Sequence, residues 1–206
     1  MTKLSKITNY SHDMFTKKLL LDNNLDDDIN LWKSIKPLLR EYENTNDGCI
    51  AIDDMLLHKP YTNTNEIVCY HYDHVSNKMA KGILMLNFHY TDSTGISIPL
   101  GYEIITKTEN EYSEKYKKNI KKSMFTKNDI MQDKLDILHN HNEVKYKYVL
   151  FDKWFASIKN MVFIANKLNK FFVCPLKSNR KVALSKDNKQ KGIYVNIRDV
   201  DTNFKL

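Results

Sequence analysis

The apolar residues near the N-terminus recur at helical spacing. They are Trp32, Ile35, Leu38, Leu39 and Tyr42. Asp27 or Asp28 can cap this helix, whereas Pro37 must bend it or limit its regularity. We therefore predict a small helical region in residues 1–46.

Short apolar runs replace this spacing further along the chain and predict the strands of a sheet. The runs are CIAI (residues 49–52), GILMLNFHY (82–90), GISIPLGYEII (95–105), YKYVLF (146–151) and FFVCPL (171–176). CIAI is continuous, as in a strand buried on both faces, and FFVCPL is a second buried strand. The second and third runs are typical of an antiparallel pair, in which Pro99 is tolerable at an edge or a bulge.

Two capped helices are predicted between these strands. Thr126 and Asp129 form a capping-box pattern ahead of the apolar residues Met131, Leu135 and Leu138. Ser157 can cap the second helix, whose apolar stripe is predicted to be Ile158, Met161, Val162, Ala165 and Leu168. The strand, helix, strand succession around this helix implies a right-handed parallel crossover. The fold class is therefore α/β, whereas the charged residues 107–122 are interpreted as a surface excursion.

Asp53 and Asp152 each come directly after an apolar run. If the two strands are adjacent, these carboxylates meet at one edge of the sheet and repel each other unless a divalent cation neutralises them. Oxygen ligands of this kind suit Mg²⁺ or Mn²⁺, which can support phosphodiester chemistry. The alternative is that both residues form turns or cap helices. Strand alternation puts Asp54 on the face opposite Asp53, so only one of the two can point at a shared site.

Other chemistry-bearing residues give weaker signals. The segment CYHYDH (residues 69–74) is rich in potential ligands, but its spacing fits no zinc pattern, and a structural or loop-stabilising role is favoured. Cys49 and Cys174 lie inside apolar runs, where thiols are usually inert. The chain contains no GxSxG, GxxxxGKS or GxGxxG motif, so hydrolase elbows, P-loops and dinucleotide fingerprints are not indicated.

Composition and charge narrow the class of protein. The 206 residues are 42% hydrophobic and 28% charged, which is typical of one main globular domain. No apolar run approaches a membrane span of about 20 residues, and the start MTKLSKITNY lacks a signal peptide, so we expect a soluble, intracellular protein without a membrane partner. Three cysteines without CxxC spacing indicate neither a disulfide scaffold nor a zinc finger.

Most of the positive charge lies in the C-terminal part of the chain. Residues 145–206 hold 14 basic and 4 acidic residues, a net charge of +10, whereas the whole chain carries +7. Such asymmetry indicates a nucleic-acid or acidic-membrane partner, although solvated faces rich in lysine are also common.

Two long blocks of the sequence resemble a known family. AIDDMLLHKPYTNTNEIVCYHYDH (residues 51–74) and YVLFDKWFASIKNMVFIANKLNKFFVCPLKSNRKVALS (148–185) are similar to bacterial insertion-sequence DDE transposases of the cut-and-paste kind. The resemblance also includes NYSHDMFTKKLL near the start and GISIPLGYEIITKTE between the blocks.

This resemblance implies a ribonuclease-H-like core, a five-stranded mixed sheet with flanking helices, expected in residues 47–176 after the N-terminal helical region. In the family, two Asp and one Glu bind two Mg²⁺ (or Mn²⁺) ions, and water and then a liberated 3′-hydroxyl attack phosphodiesters at the element ends. The first acid falls on Asp53, with Asp54 as the fallback, and the second on Asp152. The implied partner is DNA, both transposon ends and target, in a bacterial cytoplasm at the nucleoid.

The third acid of the family has no clear counterpart. It is a Glu on a later helix, usually in a Tyr/Arg/Glu-containing pattern beyond an inserted strand-rich segment, and no Glu follows Glu143 here. Asp187, Asp199 and Asp201 stand in polar or strand-like stretches instead. We therefore expect a C-terminally truncated transposase whose two carboxylates hold a metal weakly and whose two-metal catalysis is impaired.

The basic segment of residues 177–206 is expected to be the start of the inserted region. Its residues Lys177, Arg180, Lys181 and Lys186 are candidates for phosphate contacts that do not depend on DNA sequence. The alternative function is a non-catalytic DNA-binding remnant, acting as a homodimer or in mixed assembly with full-length transposase.

Overall fold

The computed structural model describes residues 27–114 and 117–200. It divides into two units, with the boundary between Glu41 and Tyr42. The predictions for the block NYSHDMFTKKLL and for Asp201 lie outside the described residues. No helix in the described ranges combines the length and the apolar character needed to cross a membrane.

The predicted N-terminal helix is confirmed as α1 (Asp27–Tyr42). The helix continues through Pro37, so this proline does not end it. Ile35 and Leu39 are buried, whereas Leu38 and Tyr42 are exposed. The buried stripe of α1 is therefore narrower than the apolar spacing predicts.

Ten strands lie in the described residues of the second unit. They are β1 (Cys49–His58), β2 (Cys69–Asp73), β3 (Lys78–Thr91), β4 (Ser97–Ile104), β5 (Glu109–Ser113), β6 (Lys118–Lys122), β7 (Tyr148–Phe151), β8 (Phe171–Val173), β9 (Lys181–Val182) and β10 (Val195–Asn196). Six of them form one mixed sheet along the path β2-β3-β1-β7-β8, with β4 also paired to β3. The predicted α/β class and the mixed sheet are thus confirmed, and β5–β6 and β9–β10 are separate two-stranded sheets.

The register of β1 differs on its two sides. All ten residues of β1 pair with antiparallel β3, from Cys49 opposite Thr91 to His58 opposite Gly82. Only the first four pair with parallel β7, and the last of these places Ile52 beside Phe151. Beyond Ile52 the β7 side of β1 is therefore unpaired, and the chain of β7 turns away.

One face of this sheet is buried and the other is partly open. The buried positions alternate along the central strands and include Ile50, Ile52, Leu84, Leu86, Phe88, Tyr90, Val149 and Phe151. Their neighbours Cys49 and Ala51 are half-buried, and Phe171 and Val173 of β8 are exposed. The predictions that residues 49–52 are buried on both faces and that residues 171–176 form a buried strand were wrong, because the described chain covers these strands on one face only.

Two helices follow the antiparallel strands and confirm the predicted caps. They are α2 (Lys127–Asp136), extended by a π-helical turn (Ile137–His141), and α3 (Ile158–Val162), extended in the same way (Phe163–Lys167). Thr126 and Asp129 form the predicted capping box, and Ser157 caps α3. Ion pairs of Lys127 with Asp54 and of Lys134 with Glu103 hold α2 against the buried face of the sheet.

The apolar stripe predicted for α2 is confirmed, whereas the one predicted for α3 is confirmed only at Leu168. Met131, Leu135 and Leu138 are fully buried as expected. On α3, however, Ile158 and Val162 are exposed, and the buried positions are Asn160, Ile164 and Leu168. The polar Asn160 occupies the core side because hydrogen bonds satisfy its amide.

Some strands differ in extent from the sequence prediction. The segment CYHYDH contributes β2, whose burial alternates from residue to residue, and the excursion of residues 107–122 contains the exposed hairpin β5–β6. The run GIYVNI contributes only the two residues of β10. Pro99 lies beside a register shift of the β3–β4 pair, as the sequence predicts.

Candidate functional site

Asp53 and Asp54 lie inside a strand rather than at its end. The sequence places the strand end at Asp53, but β1 continues to His58 because its remaining residues pair with β3. The pairing of β1 with β7 ends at Ile52 and Phe151. Asp53 and Asp152 are the residues that directly follow this last pair. The strand-end prediction was therefore wrong for β1, whereas β7 does end at Phe151, directly before Asp152.

Asp53 and Asp152 line the same cavity on the partly open face of the sheet. This cavity has a volume of about 490 Å³. Asn87, which pairs opposite Asp53, and His89 lie on its wall as well. Apolar residues form most of the remaining wall, among them Ala51, Leu150, Val173 and Pro175. The structure thus brings together the two carboxylates that sequence reasoning selects.

Asp54 belongs to the opposite, buried face. Its carboxylate forms an ion pair with the ammonium group of Lys127, the first residue of α2. Asp54 lies opposite Leu86, a fully buried residue of β3. Of the two consecutive aspartates, Asp53 is the one that shares a cavity with Asp152.

The electrostatics around Asp53 favour a bound cation. Partial burial raises the pKa of the Asp53 carboxyl, and the negative charges of Asp54 and Asp152 raise it further, against one hydrogen bond from the backbone N–H of Asp54. A group whose charged form is disfavoured by like charges gains stability when a counter-charge arrives. The repulsion that the sequence predicts is therefore present in the folded chain.

A short loop after β7 fixes the position of Asp152. The backbone N–H of Trp154 donates to Asp152 Oδ1 at 2.8 Å, and the N–H of Phe155 donates to the carbonyl of Asp152 at 3.2 Å. The side-chain amide of Asn160 donates to the carbonyl of Phe155 at 2.8 Å. Because Asn160 is fully buried and also bonds residues of α2, it anchors this loop to the helices.

The donor set fits one magnesium or manganese ion. Mg²⁺ usually binds one or two carboxylates and completes its coordination with water and substrate phosphates. Asp53 and Asp152 could supply two such carboxylates, since both line the same cavity. Within residues 27–114 and 117–200 no group of three His, Cys, Asp or Glu residues is arranged to hold a metal ion. These residues therefore do not supply enough ligands for two metal ions.

The four predicted DNA-contacting residues lie in different settings. Lys177 places its Nζ atom 4.9 Å from the ring centroid of Trp154, and Arg180 donates a hydrogen bond to the carbonyl of Ala156. These two residues therefore pack against the loop that carries Asp152. Lys181 in β9 and Lys186 at the start of α4 (Lys186–Gln190) are exposed and have no such contact with that loop among the described residues.

Sequence reasoning singled out the segment CYHYDH but did not predict that it forms the strand β2. His71 is 4% exposed, and its Nε2 atom has no hydrogen-bond partner within the described part of the chain. Asp73 is also buried and accepts hydrogen bonds from Val75 N and Ser76 Oγ, at 2.9 and 2.7 Å. This confirms a loop-stabilising role for the segment. The alternation of Cys, Tyr, His, Tyr and Asp in it is the signal that could have predicted a strand.

Comparison with protein-family models, with characterised proteins and with solved structures found no match to this chain.

Proposed function

We propose that this chain is a DDE-transposase-like protein that binds DNA and holds one Mg²⁺ or Mn²⁺ ion between Asp53 and Asp152. The observation that carries the proposal is the shared cavity of these two carboxylates, while Asp54 is occupied by Lys127 on the other face. Two aspartates without a metal would raise the free energy of the folded state by mutual repulsion. Their convergence therefore supports a cation site, and Asp152 also forms the turn that the alternative interpretation predicts, since its Oδ1 accepts the N–H of Trp154.

The sheet supports a ribonuclease-H-like core as part of this proposal. Along β4-β3-β1-β7-β8 the first three strands are antiparallel, and β7 and β8 are parallel to β1. The resemblance implies a five-stranded mixed sheet with flanking helices, and the sheet of this chain has β2 as a sixth strand, paired with β3. The first and second acids of the family would then stand at neighbouring positions of β1 and of the loop after β7.

The chemistry proposed for this site is attack on a phosphodiester. A divalent cation bound there would neutralise a phosphate oxygen and lower the pKa of water. Asp53 and Asp152 would hold the ion, and the N–H of Trp154 keeps the Asp152 carboxylate oriented. Lys177 and Arg180, which contact the same loop, would supply positive charge to the neighbouring phosphates.

We propose further that the described residues hold one ion rather than two. Two carboxylates line the cavity, and no third His, Cys, Asp or Glu of residues 27–114 and 117–200 is arranged with them to hold a metal ion. With only one ion held, the leaving oxygen lacks the stabilisation that a second ion provides. Weak nicking of DNA is expected rather than efficient transposition.

A nicking assay on supercoiled plasmid DNA tests this function. The parent protein is compared with Asp53→Ala and Asp152→Ala at equal concentration, in Mg²⁺, in Mn²⁺ and in EDTA. The proposal predicts metal-dependent nicking that both substitutions abolish, with Asp54→Asn as the matched control that keeps it. Nicking that is indifferent to Asp53 and Asp152 would contradict the site assignment.

The second candidate function is DNA binding without catalysis. The charge of residues 145–206, a net +10, favours it independently of the carboxylates. Such a protein would occupy element ends as a homodimer or disturb full-length transposase in a mixed assembly at the nucleoid. Binding of labelled duplex DNA that persists in EDTA, with no nicking in any metal, would support this function over the first.

A further inference from the structure

Three aromatic side chains form a contiguous cluster beside the candidate metal site. The rings of His74 and Trp154 stack with their centroids 4.2 Å apart and an interplanar angle of 25°. The edge of Tyr72 meets His74 at 5.0 Å and 72°. We call Tyr72, His74 and Trp154 the aromatic cluster. It joins β2 and its following turn to the loop after β7, two segments far apart in sequence.

The aromatic cluster is exposed, although such rings are usually buried. Trp154 is 46% exposed and Tyr72 is 50% exposed. A structural role in the core would hide this apolar area from water. Exposed aromatic rings that are already aligned for stacking are a common feature of surfaces that bind planar ligands.

Positive charges surround the cluster. The ammonium groups of Lys177 and Lys153 lie 4.9 and 5.6 Å from the ring centroid of Trp154. Arg180 is anchored to the carbonyl of Ala156 in the same loop. A nucleotide fits this surface, because its planar base can stack on the aromatic rings and its phosphate can pair with the lysines.

The cluster is also linked to the candidate catalytic residue. The backbone N–H of Trp154 donates a hydrogen bond to Asp152 Oδ1 at 2.8 Å. The aromatic cluster and the Asp152 carboxylate are therefore joined by the same short turn.

We infer that the aromatic cluster is a binding site for unpaired bases of single-stranded DNA next to the Asp53–Asp152 site. The inference rests on the proposed function for the identity of the nucleic acid. In a duplex the bases are stacked on one another and are not available to Trp154, so the site favours a strand end or a frayed strand. Base stacking on an aromatic ring is stronger than an exposed cation–π contact, so an incoming base displaces a lysine, which then pairs with phosphate.

Tryptophan fluorescence tests the inference directly. The chain has two tryptophans, so a Trp32→Phe background leaves Trp154 as the only one. Short oligothymidylate is titrated into this protein in EDTA and moderate salt. The expected result is quenching of Trp154 and an affinity about 10-fold higher for the single strand than for a duplex of equal length. Absence of quenching, or preference for the duplex, would overturn the inference.

Substitutions then separate stacking from charge. In a wild-type background with labelled oligothymidylate, Trp154→Ala should weaken binding about 10-fold, while Trp154→Phe should retain most of the affinity. Tyr72→Ala should weaken it less, and Tyr112→Ala is the matched control, an exposed tyrosine on β5. Equal effects of the Tyr72 and Tyr112 substitutions, together with no effect of Trp154→Ala, would show an electrostatic surface only and would overturn the inference.

Two further measurements complete the test. Trp154→Phe with an unchanged melting curve and unchanged binding supports ring stacking. Oligouridylate that binds more tightly than oligothymidylate would overturn the assignment to DNA. Because binding is measured without metal, it can hold while nicking fails. Conversely, absence of Trp154 quenching by oligothymidylate, together with nicking that depends on Asp53 and Asp152, would refute this inference alone.

Discussion

The ion pair between Asp54 and Lys127 occupies the face of β1 opposite the cavity that Asp53 lines. The two consecutive aspartates therefore lie in different surroundings. Asp54 links the sheet to the start of α2, and Asp53 remains open towards Asp152.

We predict that Asp53→Asn affects metal binding and that Asp54→Asn affects stability. The first should weaken Mn²⁺ binding by at least about 10-fold, because it removes one of two carboxylate ligands. The second should leave binding within about threefold but should lower the free energy of unfolding by about 1 kcal/mol through loss of the Lys127 ion pair. Isothermal titration with Mn²⁺ and urea unfolding measure these effects. Equal losses of metal affinity would contradict the assignment.

Without metal, Asp53→Asn should stabilise the protein at neutral pH. The pKa of Asp53 is raised in the folded chain, so its charged form costs stability, and the cost disappears as the pH falls through that raised pKa. Thermal unfolding in EDTA should show a higher melting temperature for Asp53→Asn at pH 7, and no difference from the parent once the carboxyl is protonated. A lower melting temperature at pH 7 would refute the repulsion between Asp53 and its neighbours.

Buried His71 should make the protein sensitive to mild acid. Burial lowers its pKa from 6.5 to about 4, and the positive charges of Lys107 and Lys127 add to this effect. Between these pH values the unfolded chain binds a proton that the folded chain does not, so stability is present above about pH 6.5 and falls as the pH approaches 4. The loss amounts to as much as about 3 kcal/mol at the lower limit. In urea unfolding, His71→Leu should reduce this fall, and parallel curves for the two proteins would contradict the prediction.

Asn160 should be essential for the loop that carries Asp152. Its amide donates to the carbonyl of Phe155 at 2.8 Å and to Asn128 Oδ1 at 2.9 Å, and it is fully buried. Asn160→Leu leaves that carbonyl and Asn128 without this donor, so we expect a loss of about 2–3 kcal/mol in the free energy of unfolding. Asn140→Ala is the control, since exposed Asn140 bonds only Asp136 on the same helix among the contacts described for it. Similar losses for both variants would argue against an anchoring role.

The sequence predicts the two candidate ligands but not the strand that carries one of them. Apolar runs end at Ile52 and Phe151, and the parallel pairing of these two residues brings Asp53 and Asp152 to neighbouring positions. The extension of β1 to His58 depends on pairing with β3, a tertiary interaction that local pattern does not contain.

Side-chain packing was harder to predict than strand order. The apolar spacing of α3 points to Ile158 and Val162, yet Asn160 is the buried residue, because its hydrogen bonds to α2 and to the loop decide the orientation of the helix. The contact of Lys177 with Trp154 likewise joins segments that no sequence spacing relates. Alternation along the strand did predict correctly that Asp53 and Asp54 face opposite sides.

The most direct test of the central claim is a titration of the protein with Mn²⁺, followed by electron paramagnetic resonance of the free ion, for the parent, Asp53→Ala, Asp152→Ala and Asp54→Asn. A shared site predicts one bound ion per chain in the parent and in Asp54→Asn, and loss of that ion in both alanine variants. Retention of the ion in Asp53→Ala or Asp152→Ala would contradict the claim that these two carboxylates hold it together.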